Sequence, residues 1–173
     1  MRIEVKEGAS SRDEIAPLTA LVYPPEILRE KVWRDVQSAR ASQRVIVYDD
    51  DDAVVSTAGI HLRRAKANGV VLAIAGIGGV MTHPSHRKSG LGRSAMHAAH
   101  DVIANTDARF GVLFCESFNE AFYGHLGWRR YAGSITVEQK GVSVRYDLMT
   151  AMVRGFALRA PIDGEIDLCG LPW

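Results

Sequence analysis

Cysteine is scarce in this chain: Cys115 and Cys169 are its only two thiols. Two make no disulfide framework, and the expected setting is a reducing cytoplasm. Long apolar runs are missing as well. Nothing approaches the ~20 residues of a membrane-spanning helix, and Met1-Arg2-Ile3-Glu4 opens as a strand rather than a signal peptide. Excess charge of either sign is absent: 21 Lys+Arg against 20 Asp+Glu give a formal net charge of +1. That argues against a nucleic-acid partner and confines any positive patch to a local feature. There is no repeat of roughly 20–50 residues and no low-complexity tract. The 173 residues, 47% of them hydrophobic, suit one domain over 1–173 with 155–173 as a C-terminal extension.

Several site signatures stay incomplete. Gly76-x-Gly78 lacks the third glycine of a dinucleotide fingerprint, and Arg87 to Ser94 lacks the Gly-Lys-Ser/Thr of a P-loop. His97 and His100 lie three apart on what reads as the exposed side of a helix, without a third ligand, and His83-x-x-His86 has the same defect. Asp49 to Asp52 reads as a solvated hairpin tip rather than a calcium loop. Cys115 shows no pairing with a histidine, which leaves it as buried packing. The expectation is no metal.

Along the chain, Arg2 to Lys6 alternates as an edge strand. A helix follows Ser10, Ser11 or Asp13 and runs to Leu21, with Pro17 either early in it or breaking it; a second runs from Glu26 to about Arg40 after Pro25. Arg44–Tyr48 and Ala53–Arg63 read as antiparallel strands, and Arg63 to Gly69 as a basic turn. Val70 to Thr82 is the longest apolar run and the expected central strand, with Gly76, Gly78 and Gly79 marking a bend or bulge that another backbone approaches. Gly90 to about Asn105 is a helix, Phe110 to Phe114 a buried strand, Ser117 to Leu126 a short helix, and Ser134 to Leu148 a hairpin. Ile166 and Leu168 share one side of a further short strand. The order describes an α+β fold, a mixed sheet covered by helices.

One stretch organises the rest. Val80-Met81-Thr82 ends the central strand at Pro84, and Arg87-Lys88-Ser89-Gly90-Leu91-Gly92-Arg93 leads into the long helix. A helix entered through glycines leaves its first N–H groups unpaired and facing the loop, where they form an anion site suited to phosphate or pyrophosphate. The pattern Val80-x-x-x-Pro84-x-x-Arg87-x-x-Gly90-x-Gly92 resembles the acyl-CoA pyrophosphate loop of the GNAT superfamily of N-acyltransferases. About thirty residues on, Asn119 to Trp128 resembles the family's second motif, an asparagine before a helix that carries tyrosine and ends in Gly-aromatic. The resemblance implies a GNAT-like fold, in which a mostly antiparallel sheet splays between two adjacent parallel strands. It also implies acetyl-CoA as acyl donor, held by Val80, Met81, Thr82, Arg87, Lys88, Ser89, Gly90, Leu91, Gly92, Arg93, Asn119 and Tyr123. Tyr23 and Trp33 become candidate walls of the acceptor site.

Transfer to an amine needs the donor held, its carbonyl polarised, the ammonium deprotonated and the departing thiolate protonated. By resemblance Tyr123 lies beside the sulfur as the proton donor, and an N–H near Met81 faces the carbonyl. The family's strand glutamate falls among Gly76, Ile77, Gly78 and Gly79, so other bases come into question: His83, Glu116, the Trp173 carboxylate and a water relay. Trp128 and the closing tryptophan are similar to aminoglycoside 2′-N-acetyltransferases, whose strand glutamate falls at Gly78. The expected activity is acetyl transfer to a primary amine of a small molecule in a ternary complex, with no nucleic acid and no membrane involved. A homodimer is left open. The rival is a catalytically silent acyl-CoA sensor or partner-binding module.

Overall fold

Alternation writes most of this fold. The structure, a computed structural model, describes residues 1–173. In chain order its elements are β1 (Arg2–Glu7), α1 (Arg12–Val22), α2 (Pro25–Glu30), β2 (Gln43–Tyr48), β3 (Val54–Ala67), β4 (Val70–Thr82), α3 (Leu91–Ala104), β5 (Phe110–Cys115), α4 (Glu120–Gly124), β6 (Arg129–Arg130), β7 (Ser134–Gln139), β8 (Val142–Arg145), β9 (Thr150–Gly155) and β10 (Glu165–Asp167). Single 3-10 turns at Pro84–His86 and Ser117–Asn119 lead toward α3 and α4. No helix is long and apolar enough to cross a membrane.

All ten strands join one sheet in the order β6-β9-β5-β4-β3-β10-β7-β8, with β2 and then β1 branching from the N-terminal half of β3. β4–β5 and β7–β10 are parallel, and every other pair is antiparallel. The expected mixed, mostly antiparallel α+β sheet flanked by helices is therefore present. β4 and β5 pair only from Ile74–Ile77 to Phe110–Leu113. Beyond that, β4 stays with β3 and β5 with β9, so the parallel strands part and a wedge opens between them. A bulge opposite Ala58, where Gly79 adopts φ +57°, bends β4 at the same level.

On one face α3 buries Ala95, Met96, Ala99 and Ile103 against Val45, Ile60, Ala75, Ile77 and Leu113. On the other, Ile15 and Leu18 of α1 cover Ile46, Tyr48 and Met81, and the C-terminal segment covers Ile74, Val112 and Phe114 with Leu168 and Trp173.

Four features differ from the expectations. The supposed basic turn is strand: Ala65 and Ala67 point into the core while Arg64 and Lys66 face out, and the turn shrinks to Asn68-Gly69 with φ of +49° and +81°. The second helix stops at Glu30. Residues 31–41 cross the sheet face instead, where Ala39 N–H donates to Pro172 (2.6 Å) and Gln37 exchanges hydrogen bonds with Gln139, so tertiary partners outweigh helix propensity. Pro17 stands inside α1, leaving the exposed Asp13 without an in-helix donor. β9, which no sequence signal singled out, closes the sheet beyond β5.

The expected exposed histidine pair also divides. His97 is exposed, but His100 is buried and its Nε2 accepts a 3.0 Å hydrogen bond from Trp128 Nε1. Burial, with Arg154 and His97 adding repulsion, pushes the His100 pKa down to about 4. A folded-state pKa below the unfolded value of about 6.5 means full stability above pH ~6.5, lost as pH falls toward 4. The urea midpoint should decline through that window, and less so in His100→Gln, which keeps an acceptor for Trp128. Equal declines in both proteins would count against the histidine.

Packing around Trp128 is close enough to read from glycine. A Cβ on Gly111 would lie 2.8 Å from the Trp128 ring and 3.0 Å from Phe156. Gly111→Ala should therefore destabilise by about 1–3 kcal/mol, the usual range for overpacking, as measured by chemical denaturation.

Candidate active site

Between the end of β4 and the start of α3 the chain turns through two left-handed residues, Lys88 (φ +64°) and Gly90 (φ +89°). Such alternation curls successive N–H groups into a concavity. The N–H groups of residues 88–93 have no hydrogen-bond partner within the protein; the next donor, Ser94, already bonds to Gly90. Six adjacent donors, the α3 dipole, and exposed Arg87, Lys88 and Arg93 make a local anion site on a chain of near-neutral charge.

This loop forms one wall of a cavity of about 580 Å³. Val80 and Thr82 come from the end of β4, and Asn119, just before α4, faces them together with Phe122 and Tyr123 of that helix. Gly92 is held small by its surroundings: a Cβ there would lie 3.1 Å from Thr82 Oγ1 and 3.6 Å from Phe122. Thr82 is itself fixed by Ser56, whose hydroxyl lies 3.0 Å away and donates to the Met81 carbonyl at 2.8 Å. The Met81 side chain points to the opposite face, into the α1 cluster. Asn119 opens α4 but makes no side-chain cap, which leaves its amide free beside the cavity.

Tyr123 is buried against the α3 core, with its ring edge-on to Phe122 at 5.0 Å. Its hydroxyl has no partner within the protein, and burial pushes its pKa well above that of a free phenol. It therefore stays protonated at neutral pH, the state a proton donor requires. Cys115, behind it, is raised to about 11, chiefly by burial, and is no thiolate.

The candidate bases disperse. Glu116 holds Lys31 at 2.9 Å, next to the Tyr23–Trp33 pair, whose rings meet edge-on at 5.2 Å. His83 caps the turn after β4, its Nδ1 2.7 Å from Ser85 Oγ. Trp173 comes back to the sheet. Its Nε1 donates to the Val112 carbonyl at 3.2 Å, and its ring occupies the space above Gly76, where a Cβ would lie 2.1 Å from it. The Trp173 carboxyl carbon lies 3.0 Å from the position of a Cβ on Gly78. The glycines of β4 thus leave room for a side chain and main chain brought from 95 residues away, as the reading of a close backbone approach requires.

Two residues at this place escaped notice in the sequence, Arg44 and His61. His61 is buried, stacks on Trp173 with centroids 5.4 Å apart, and brings Nε2 to 3.3 Å from the position of a Cβ on Gly78. Its pKa falls to about 3, from burial first and then from Arg44 and Arg63. The available signal was a polar residue at an inward position of an alternating strand. No group of three His, Cys, Asp or Glu side chains stands close enough to hold a metal.

A splayed pair of parallel strands, a donor-rich loop at their mouth and a tyrosine across the wedge now stand together. The pattern of the acetyltransferase (GNAT) domain family matches residues 8–131. The chain belongs to that family. Its fold is similar to that of a putative N-acetyltransferase from Lactobacillus plantarum (TM-score 0.61, 21% identity, 90% of this chain and 97% of that one). It is similar also to the Escherichia coli GNAT family N-acetyltransferase YhbS in complex with CoA (0.65, 15%, 96% and 88%) and to a Brucella melitensis GNAT acetyltransferase in complex with acetyl-CoA (0.59, 15%, 95% and 94%). No sequence match to a curated protein accompanies these likenesses.

Proposed function

We propose that this acetyltransferase moves the acetyl group of acetyl-CoA to a primary amine of a small molecule, by direct attack in a ternary complex. The observation that carries the reading is the run of six unpartnered N–H groups at residues 88–93, set at the mouth of a wedge whose far wall presents Tyr123. The loop binds the pyrophosphate, and the pantetheine arm enters between β4 and β5, whose facing edges beyond Ile77 and Leu113 are unpaired with each other. The amine nitrogen attacks the thioester carbon, the C–N bond forms, and the C–S bond breaks. Tyr123 gives its proton to the thiolate; Glu116 is engaged by Lys31 and His83 by Ser85, which leaves the Trp173 carboxylate beside Gly78, or solvent, to take the ammonium proton. Glu116 and the Tyr23–Trp33 pair border the acceptor.

Release of free thiol from acetyl-CoA, measured across a panel of amines, tests the proposal, and amine-dependent release is expected. The glycine at position 78 favours one rival, a module that binds acyl-CoA without turnover. Tight acetyl-CoA binding with no amine accelerating thiol release would select that rival.

A further inference from the structure

On the sheet face away from α3, three cations near the wedge differ in how far they are engaged. Lys31 holds Glu116. Arg63 donates to the Leu168 (3.2 Å) and Leu171 (2.8 Å) carbonyls and lies 5.1 Å from the centroid of the Trp173 ring. Arg44, on β2, has no such commitment. Its Nε is fully enclosed without a hydrogen-bond partner, and the one polar contact of its head is a long 3.4 Å approach of Nη1 to Thr57 Oγ1. No carboxylate lies within ion-pair reach of it. Burial depresses its pKa, yet a guanidinium keeps its charge, so this is a half-desolvated cation with no ion-pair partner.

Its location gives that isolation a meaning. Arg44 pairs with Gly59 of β3, and Gly59 with Gly78 of β4. Its terminal nitrogens lie 3.4 Å from where a Cβ would stand on Gly59 and 3.4 Å from where one would stand on Gly79. The guanidinium is therefore spread over the β4 bulge, beside the point where β4 and β5 part, and glycine at both positions leaves it room. The side chains around it supply no negative charge: His61 is neutral, and Arg63 adds a second positive one; the Trp173 carboxyl group, beside Gly78, stands outside ion-pair reach of it.

We infer that the acceptor carries an oxyanion, a carboxylate or a phosphate, close to its reacting amine, and that Arg44 binds this group. The inference rests on the transferase reading above and narrows it to short amino acids or aminoalkyl phosphates. Neighbouring strands run about 4.8 Å apart, so an anion over Gly79 and an amine at the wedge fit a molecule that separates them by a few bonds. Arginine suits the task because its planar fork meets either oxyanion with two parallel hydrogen bonds.

The test compares matched acceptors in the thiol-release assay: an amino acid and its uncharged amide, an aminoalkyl phosphate and the corresponding amino alcohol. The wild-type kcat/KM should favour one anionic member by roughly 10²-fold, and which one tells carboxylate from phosphate. In Arg44→Met that preference should collapse toward unity while the KM for acetyl-CoA holds, and Arg44→Lys should restore part of it. A wild-type enzyme that uses the uncharged partners equally well overturns the inference and leaves acetyl transfer standing; so does a preference that survives in Arg44→Met. If no amine is turned over, the transferase reading fails separately. Calorimetric titration of the CoA-bound protein with the same pairs then decides: selective binding of an anionic member, lost in Arg44→Met, supports the site, and its absence overturns it.

Discussion

Gly92→Asp should abolish acetyl-CoA binding without unfolding the protein. A Cβ at this position enters the cavity between Thr82 and Phe122, so the new carboxylate would lie among the unpaired N–H groups that otherwise meet a pyrophosphate. It would satisfy those donors from within and repel the incoming anion. An acidic residue in the first turn of a helix is otherwise favourable, by about 0.3–1 kcal/mol, so α3 should tolerate it. Calorimetric titration is expected to show affinity weakened by at least ~100-fold, with a melting temperature within a few degrees of the parent. Gly92→Ala brings the same contact at 3.1 Å from Thr82 but no charge, and should retain most of the binding. A folded Gly92→Asp protein that binds acetyl-CoA as tightly as the parent would remove the loop from the cofactor site.

Tyr123→Phe should lower kcat by about 10²-fold or more and change the KM for acetyl-CoA little. The hydroxyl has no partner within the protein, so its loss strands no buried donor, and the ring that packs against Phe122 is retained. Stability should accordingly be unchanged. Because the tyrosine pKa is raised by burial, the wild-type rate should show no decline from its ionisation at mildly alkaline pH. A Phe variant that keeps most of the parental kcat, with chemistry rate-limiting, would return Tyr123 to a packing role.

Legibility divided along a physical line. β4 was readable to its end residues, Val70 and Thr82, because it is the longest apolar run in the chain, and α3 because its small apolar residues repeat at helical spacing. The loop between them was readable because its glycines are needed by backbone geometry, as Gly90 at φ +89° shows. The length of β3 was misread because arginine and lysine at its outward positions look like a turn unless the alanines between them are weighed as an inward face. Residues 31–41 could not be read locally, since their partners are Pro172 and Gln139, more than a hundred positions on. Arg44 and His61 were missed for a related reason. Each matters through what lies across neighbouring strands at Gly59, Gly78 and Gly79, and spacing along one segment carries no trace of that.

The place of β10 has a consequence for how the molecule is made. This three-residue strand sits between β3 and β7, antiparallel to the first and parallel to the second, and it joins two parts of the sheet that otherwise share no strand pairing. A chain emerging N-terminus first exposes the C-terminal half of β3 and the edge of β7 as open hydrogen-bonding rims until Ile166 arrives. Such rims are templates for pairing with other chains. The vulnerable interval therefore runs from the completion of β3 at Ala67 to the arrival of Ile166, more than half of synthesis, and it ends with one short segment locking into place.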